Sequence, residues 1–184
     1  MTTLQERIAG ERRRLRTVRQ KLSAAVAQTA RGNAEWAPFY AAVGDYMEAA
    51  MERLHAQDVK MGDMIRSKVE KVDAKVQQAL DELDERLAGN QQRLDELLKA
   101  RDALREQGAA AVEQFEAAAK EFTDFIVRNM GHHGGTTDLA GKLFKPADWE
   151  FMAGISDEAM AHEVKLYEKV ETATPADLEP AEES

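Results

Sequence analysis

Hydrophobic residues recur at every third or fourth position over most of the chain, which is the period of an amphipathic α-helix. The first such stripe runs from about Leu4 to Ala30, and a Gly-Asn pair at 32–33 ends it. Glu11 is the one charged residue that interrupts the stripe. Gly and Pro are scarce, at 11 and 4 of 184 residues, and good helix formers dominate. The chain is therefore predicted to be all-α.

The next two helices are predicted to form a long antiparallel hairpin. One begins near Glu35 and meets no convincing breaker before Gly89-Asn90. It would extend for about 50 residues, or about 80 Å at 1.5 Å per residue. Its partner would cover residues 91–130. Aliphatic residues between 69 and 104 would make a thin coiled-coil stalk, which covers little of its own apolar surface, so another helix or subunit is expected to lie on it.

Aromatic residues mark the base of this hairpin. They cluster at the start of the second helix and at the end of the third, and none occurs from Met47 to Gln114. Short C-terminal helices, with Pro146 in the first turn of one and Ser156 as the N-cap of another, are expected to join them. Together with the N-terminal helix they would form a helical-bundle head. The expected limits are 1–171 for one elongated domain, 1–62 with 112–171 for its head, 63–111 for its stalk, and 172–184 for a disordered acidic tail.

Charge is distributed unevenly along the chain. Residues 1–33 carry eight basic and two acidic side chains, a net charge of +6, whereas the remainder carries −15 and the whole chain −9. A basic helix on an acidic body can bind nucleic acid or an anionic membrane surface, and it can equally pair with its own body or with a partner protein. We favour internal pairing, so nucleic acid is not the expected partner.

Three carboxylates and one histidine fall on predicted core faces. Asp58 follows Tyr40 by five full helical turns and therefore lies on the centre line of the second helix's apolar stripe. His55 is three residues before Asp58, close enough to share its surroundings. If the first helix folds back antiparallel, Glu11 comes opposite His55. Glu163 occupies the apolar stripe of the last helix in the same way.

One interpretation of these residues is a metal site inside the bundle. Ferritin-like and hemerythrin-like bundles bind transition metals such as iron or manganese through inward-facing Glu and His side chains, and zinc accepts the same ligand types. Glu52 and His55 give the Glu-x-x-His spacing once, and no second copy occurs. The candidate ligands would be Glu11, His55, Asp58 and Glu163.

The other interpretation is a buried polar network without a metal, and we favour it. Asp58, His55 and Glu11 would satisfy one another or pair with Arg7 or Arg12. Such a network fixes helix register and subunit number, as polar core residues do in coiled coils. No cofactor is then expected.

A second pair of histidines, His132 and His133, lies in a stretch with three glycines at 131–135 that is expected to be irregular. A pair of this kind can bind a metal ion. Histidines also favour helix C-termini electrostatically, so capping or a solvated loop is the preferred interpretation.

Several function classes find no support in the sequence. The chain has no Cys, which excludes disulfides, thiolate zinc sites and iron–sulfur clusters. It has no Gly-rich phosphate loop and no G-x-S-x-G motif, and no Ser stands beside a His. No stretch approaches the about 18 apolar residues of a membrane span, and the first 20 residues lack the apolar core of a signal peptide. We expect a cytoplasmic protein that is not an enzyme.

The leading functional hypothesis is a non-catalytic helical scaffold, adaptor or assembly protein. It would act through protein–protein contacts and through self-association, as a dimer or a larger homo-oligomer, because the stalk leaves apolar surface uncovered. The first alternative is a metal-binding helical bundle. The second is binding of nucleic acid or an anionic membrane through the basic first helix.

Overall fold

The computed structural model describes residues 4–28, 34–129 and 134–179, and those ranges contain α-helices and no β-strand. The helices are α1 (Leu4–Gln28), α2 (Ala37–Lys68), α3 (Ala74–Gln107), α4 (Val112–Asn129), α5 (Gly134–Leu143), α6 (Pro146–Ala153) and α7 (Asp157–Ala173). Short 3-10 segments, Ala34–Trp36 and Gly108–Ala111, precede α2 and α4. The all-α prediction is confirmed for these ranges. None of their helices is long and apolar enough to cross a membrane.

The chain first reverses at residues 69–73, between α2 and α3, and not at Gly89-Asn90. The Asp73 side chain accepts a hydrogen bond from the Val76 backbone N–H at 2.9 Å and caps the first turn of α3. The connecting segment, Val-Glu-Lys-Val-Asp, contains no Gly or Pro and so carries no strong breaker signal. The prediction of one helix from about residue 35 to residue 89 is therefore wrong.

Gly89 lies inside α3 because another helix packs directly on its backbone. A Cβ added to Gly89 would come within 2.2 Å of Phe125 Cζ in α4. The Arg93 guanidinium lies over the same ring, 3.9 Å from its centroid. The glycine therefore permits a close approach of two helices rather than a turn.

A second reversal occurs at Gly108. Helical residues follow one another from Ala74 to Asn129, a stretch of 56 residues. A straight helix would separate Gly89 from Phe125 by about 54 Å at 1.5 Å per residue, whereas the two are in contact. Gly108 has a φ of 59°, which L side chains rarely adopt, and this conformation lets α4 fold back along α3.

Five helices, α1, α2, α3, α4 and α7, share one apolar core. Pairs of cross-helix contacts show that α2 runs antiparallel to α3 and α7, and because α7 runs parallel to α1, α2 is antiparallel to α1 as well. The aromatic residues expected at the hairpin base meet here. The rings of Tyr40 and Phe115 have centroids 4.9 Å apart, and those of Tyr46 and Tyr167 are 6.0 Å apart.

A second apolar cluster fills the other end of the α2–α3 hairpin. Ile65 and Leu83 pack there with Ala140 of α5 and with Phe144. The Phe144 ring meets Trp149 of α6 edge-on, at 5.3 Å between centroids. The apolar surface expected on the stalk at 63–111 is covered by other helices of the same chain, by α5 and α6 at its tip and by α4 along α3.

The C-terminal helix starts follow the sequence signals. Pro146 is the first residue of α6, and Ser156 Oγ accepts a hydrogen bond from the Ala159 N–H at 3.1 Å at the start of α7. In contrast, the last two glycines of the 131–135 stretch form the first turn of α5 instead of an irregular segment. A Cβ on Gly135 would lie 3.0 Å from Ala79 Cβ, so the missing side chain lets α5 approach α3.

The acidic tail is placed against α1 as far as residue 179. The Gln28 side chain donates a hydrogen bond to the Asp177 carbonyl at 2.9 Å and accepts one from the Glu179 N–H at 3.1 Å. Residues 172 and 173 complete α7, and residues 174–179 lie along α1. Residues 180–184 lie outside the described part of the chain, and the disorder expected from residue 172 stays a prediction.

Candidate functional site

Arg53 of α2 lies between two buried carboxylates that the sequence pattern singled out, Glu11 of α1 and Glu163 of α7. Its Nε donates a hydrogen bond to Glu163 Oε2 at 2.7 Å, and its Nη2 donates to Oε1 at 3.2 Å. Its Nη1 lies 3.0 Å from Glu11 Oε2 as an ion pair without hydrogen-bond alignment. The exposed fractions of the Arg53, Glu11 and Glu163 side chains are 11%, 7% and 3%. The three form a nearly water-free charge cluster that joins three helices.

Burial dominates the electrostatics of this cluster. It raises the pKa of the Glu11 carboxyl; the Arg53 guanidinium opposes the rise, and the charge of Glu163 adds to it. Tyr46 is fully buried beside the cluster, and its hydroxyl has no hydrogen-bond partner within the described ranges. Burial, and then the charge of Glu163, raise the pKa of Tyr46, so the phenol stays protonated. Arg14 supplies additional positive charge to both Glu11 and Tyr46.

The other two candidate ligands have different surroundings. Asp58 accepts a hydrogen bond from Arg86 Nη2 at 3.2 Å, and the Arg86 side chain is only 3% exposed. His55 is half-buried, and its Nδ1 has no hydrogen-bond partner in the part of the chain that the structure describes. No group of three or more His, Asp or Glu side chains in those ranges is placed to hold a metal ion. His132 and His133 lie outside the described residues.

The sequence pattern located the buried carboxylates and missed the arginines that pair with them. The register expected for α1 against α2 placed Glu11 opposite His55, which is two residues from Arg53. A search of neighbouring positions for a positive charge would have found Arg53. Arg86 carried no comparable signal, because α3 was expected to begin only at residue 91.

Glu116 of α4 is a further buried carboxylate, 7% exposed, that the sequence pattern did not single out. It accepts a hydrogen bond from the hydroxyl of the fully buried Tyr40, at 2.7 Å. Burial, and then this hydrogen bond, raise the pKa of Tyr40. The pair ties α2 to α4 and fixes the position of Glu116 in the wall of a groove described below.

The basic residues of α1 divide between two sides of the helix. On one side, Arg7 lies 3.2 Å from Asp157, and Lys21 lies 2.7 Å from Glu171. Both pairs join residues 150 positions apart, so α1 and α7 run parallel and in register. Gln28 continues this side with its bonds to the tail. The expected internal pairing is therefore found on the side of α1 that faces α7.

The other side of α1 carries a basic row. Arg12, Arg16 and Arg19 are spaced by four and three residues, which places them on one face of the helix. Arg12, Arg16 and the adjacent Arg13 are exposed, and none of these three pairs with a carboxylate in the described ranges. Burial, and then the charge of Arg16, lower the pKa of the half-buried Arg19. The fold thus leaves an excess of positive charge on this face.

A groove of about 580 Å³ between α1 and α4 continues the same face. Its α1 wall contains Ser23 and Val26, which follow Arg19 by four and then three more residues. The full lining is Ser23, Val26, Ala27, Glu113, Glu116, Ala117, Lys120, Thr123 and Asp124. Lys120 pairs with Asp124, whereas Glu113 is exposed and has no basic partner in the described ranges. One face of the molecule therefore presents a basic row beside an acid-walled groove.

No protein-family model matches the chain, and comparisons with curated proteins and with solved structures find no match either. No relative therefore supplies a function, and the geometry of the buried cluster and of the α1 face is the basis for one.

Proposed function

We propose that this chain is a non-catalytic helical scaffold or adaptor that acts through protein–protein contacts, including contacts with a second copy of itself. The observation that carries the proposal is that three exposed arginines of α1, Arg12 and Arg16 of the basic row and the adjacent Arg13, have no carboxylate partner in the described ranges of a chain whose net charge is −9. An acidic protein surface is complementary to these arginines. The chain itself has such a surface in the acid-walled groove between α1 and α4.

The pairing of the buried arginines supports a structural rather than a catalytic use of the interior. Arg53 and Arg86 are held by carboxylates as described above. Arg101 of α3 likewise donates hydrogen bonds to Asp45 at 3.1 Å and to Glu48 at 2.5 Å, both on α2. Buried pairs of this kind specify which helices meet and in which register. The exposed arginines of α1 have no such carboxylate in the described ranges and are therefore available to a partner.

The mass of the protein in solution tests the proposal. Light scattering at micromolar concentration should give a dimer or a larger assembly at low salt. Raising the salt should shift the mass toward the monomer, since the screening length falls from about 10 Å at 0.1 M to about 3 Å at 1 M. A monomer mass under all of these conditions would contradict self-association.

The same exposed row supports a second candidate, the binding of nucleic acid or an anionic membrane. Three arginines on phosphates would give a salt slope of about −3 in a plot of log affinity against log salt. The acidic remainder of the chain opposes this, so we expect no binding of a fluorescent DNA duplex, or of vesicles rich in anionic lipid, at physiological salt. Fluorescence anisotropy measures binding of the DNA duplex, and co-sedimentation measures binding of the vesicles.

A further inference from the structure

We infer that two copies of this chain pair about a twofold axis on the outer side of α1, so that Arg12 and Arg16 of each copy face the acid-walled groove of the other. The inference rests on the proposed self-association and adds the surface, the symmetry and the charge pairing through which it occurs.

The first argument is the position of the two complementary features on one helix face. Arg12, Arg16, Arg19, Ser23 and Val26 belong to a single row with spacings of three or four residues, so a flat partner spans the whole row at once. Arg12 and Arg16 form the basic half of the row, and Ser23 and Val26 form its groove half. The centres of the two halves are about 16 Å apart at 1.5 Å per residue. When two α1 helices lie antiparallel, an axis near residues 19 and 20 places each basic half against the other copy's groove.

The second argument is charge. Glu113, Glu116 and Asp124 line the groove against a single base, Lys120, so its walls carry a net negative charge that matches the basic row. A twofold axis forms every such contact twice, which is the general property of isologous interfaces. Arg19, nearest the axis, is half-buried and already interacts within its own copy, which limits repulsion between like charges there.

The third argument is size. α1 has 25 residues and is therefore about 37 Å long, and two adjacent helices are about 20 Å wide. α4 has 18 residues and is about 27 Å long, so the α1–α4 face offers about 640 Å² per copy, approaching the about 800 Å² that each partner contributes to a stable interface of standard size. Val26, Ala27 and Ala117 provide the apolar part of that face.

A charge swap tests the inference in the full-length chain. Arg12→Glu and Glu113→Arg each place like charges together, and each should weaken the dimer at least tenfold in sedimentation velocity experiments. The double variant Arg12→Glu/Glu113→Arg restores opposite charges and should recover most of the affinity. Lys165→Glu, an equally exposed reversal on α7, is the matched control and should leave the dimer unchanged.

A crosslink gives a second measurement that does not depend on charge reversal. The chain has no Cys, so Gln20→Cys introduces one thiol near the axis, and mild oxidation should yield a covalent dimer. Gln92→Cys, at an exposed position of α3, should crosslink much less. If Arg12→Glu or Glu113→Arg lowers the melting temperature, the neutral variants Arg12→Gln and Glu113→Gln are used in place of the charge reversals.

The outcomes separate this inference from the proposed function. A dimer that resists both reversals and does not crosslink through Gln20→Cys would overturn the α1 interface and leave self-association standing. A chain that is monomeric at every concentration would overturn both. A monomer that binds a labelled DNA duplex through Arg12 and Arg16 would assign the row to nucleic acid and would also overturn the inference.

Discussion

Arg53 and Glu163 form a two-bond contact, with donor–acceptor distances of 2.7 and 3.2 Å, in a part of the bundle almost free of solvent. The same guanidinium balances Glu11. One side chain of α2 therefore holds α1 and α7 at once. A buried charge cluster of this kind is sensitive to removal of Arg53, because the two carboxylates then lose their compensating charge.

Arg53→Leu should destabilise the protein strongly, by about 3–5 kcal/mol, because two carboxylates are left buried without their cation. The triple variant Arg53→Leu/Glu11→Leu/Glu163→Leu removes all three charges, so its free energy of unfolding should fall less than that of Arg53→Leu alone. Urea unfolding followed by circular dichroism at pH 7 gives both free energies. An Arg53→Leu variant within about 1 kcal/mol of wild type would contradict the structural role of the cluster.

The raised pKa of Glu11 leads to a pH-dependent prediction. The folded chain binds this proton more tightly than the unfolded chain, whose carboxyl titrates near the ordinary value of 4.5. The ionised form therefore destabilises the fold above the raised pKa, and the penalty disappears as pH falls below 4.5. Glu11→Gln should raise the free energy of unfolding at pH 7, and this gain should shrink on acidification. A gain that is independent of pH would show that ionisation of Glu11 is not its cause.

Gly89→Ala should destabilise the protein by about 1–3 kcal/mol through overpacking against the Phe125 ring. Helix propensity alone predicts the opposite, a gain of about 1 kcal/mol. Gly10→Ala in α1 is the matched control, because its Cβ would meet only the end of the Arg14 side chain, at 3.5 Å. Gly10→Ala should stabilise the protein. Equal melting temperatures for the two variants would mean that α3 and α4 do not approach at residue 89.

Asp58→Leu distinguishes an ion pair from a metal ligand. Loss of its bond to the buried Arg86 should cost about 1–3 kcal/mol. Because the Arg86 guanidinium pairs with this carboxylate, we expect that the melting temperature of the wild type does not respond to a chelator. A chelator-sensitive wild type and an insensitive Asp58→Leu variant would establish a metal site instead, and elemental analysis of protein purified without a His tag would identify the ion.

Local signals in the sequence were sufficient for much of the fold. Some signals depend only on neighbouring residues and can be recognised without tertiary contacts. They are the N-cap at Ser156, the proline at the start of α6 and the apolar stripe of α1. The hairpin turns could not be predicted in this way. Gly89 resembles a breaker, and only the ring of Phe125, 36 residues later, shows why a helix keeps it.

The candidate site was predictable to the same extent. Glu11 and Glu163 stood out because a carboxylate in an apolar stripe breaks the pattern, and both are buried. Their partner Arg53 is a common surface residue type with no anomaly of its own, so its role emerges only when three helices come together. Prediction of the exposed basic face of α1 requires two facts. One is which residues share a face of the helix, and the other is that α7 packs on the opposite face.

The parallel register of α1 and α7, with its constant offset of 150 residues, means that their contacts close very long loops. Contacts so distant in sequence close the largest loops and form late. During synthesis the α2–α3–α4 hairpins have local partners and α1 packs mainly on α4 and α2, whereas its contacts to α7 and the tail need residues 157–179. Loss of that segment would remove the partners of Arg7, Lys21 and Gln28 and would leave Arg53 with Glu11 alone, so one side of α1 is completed only after residue 179 has been made.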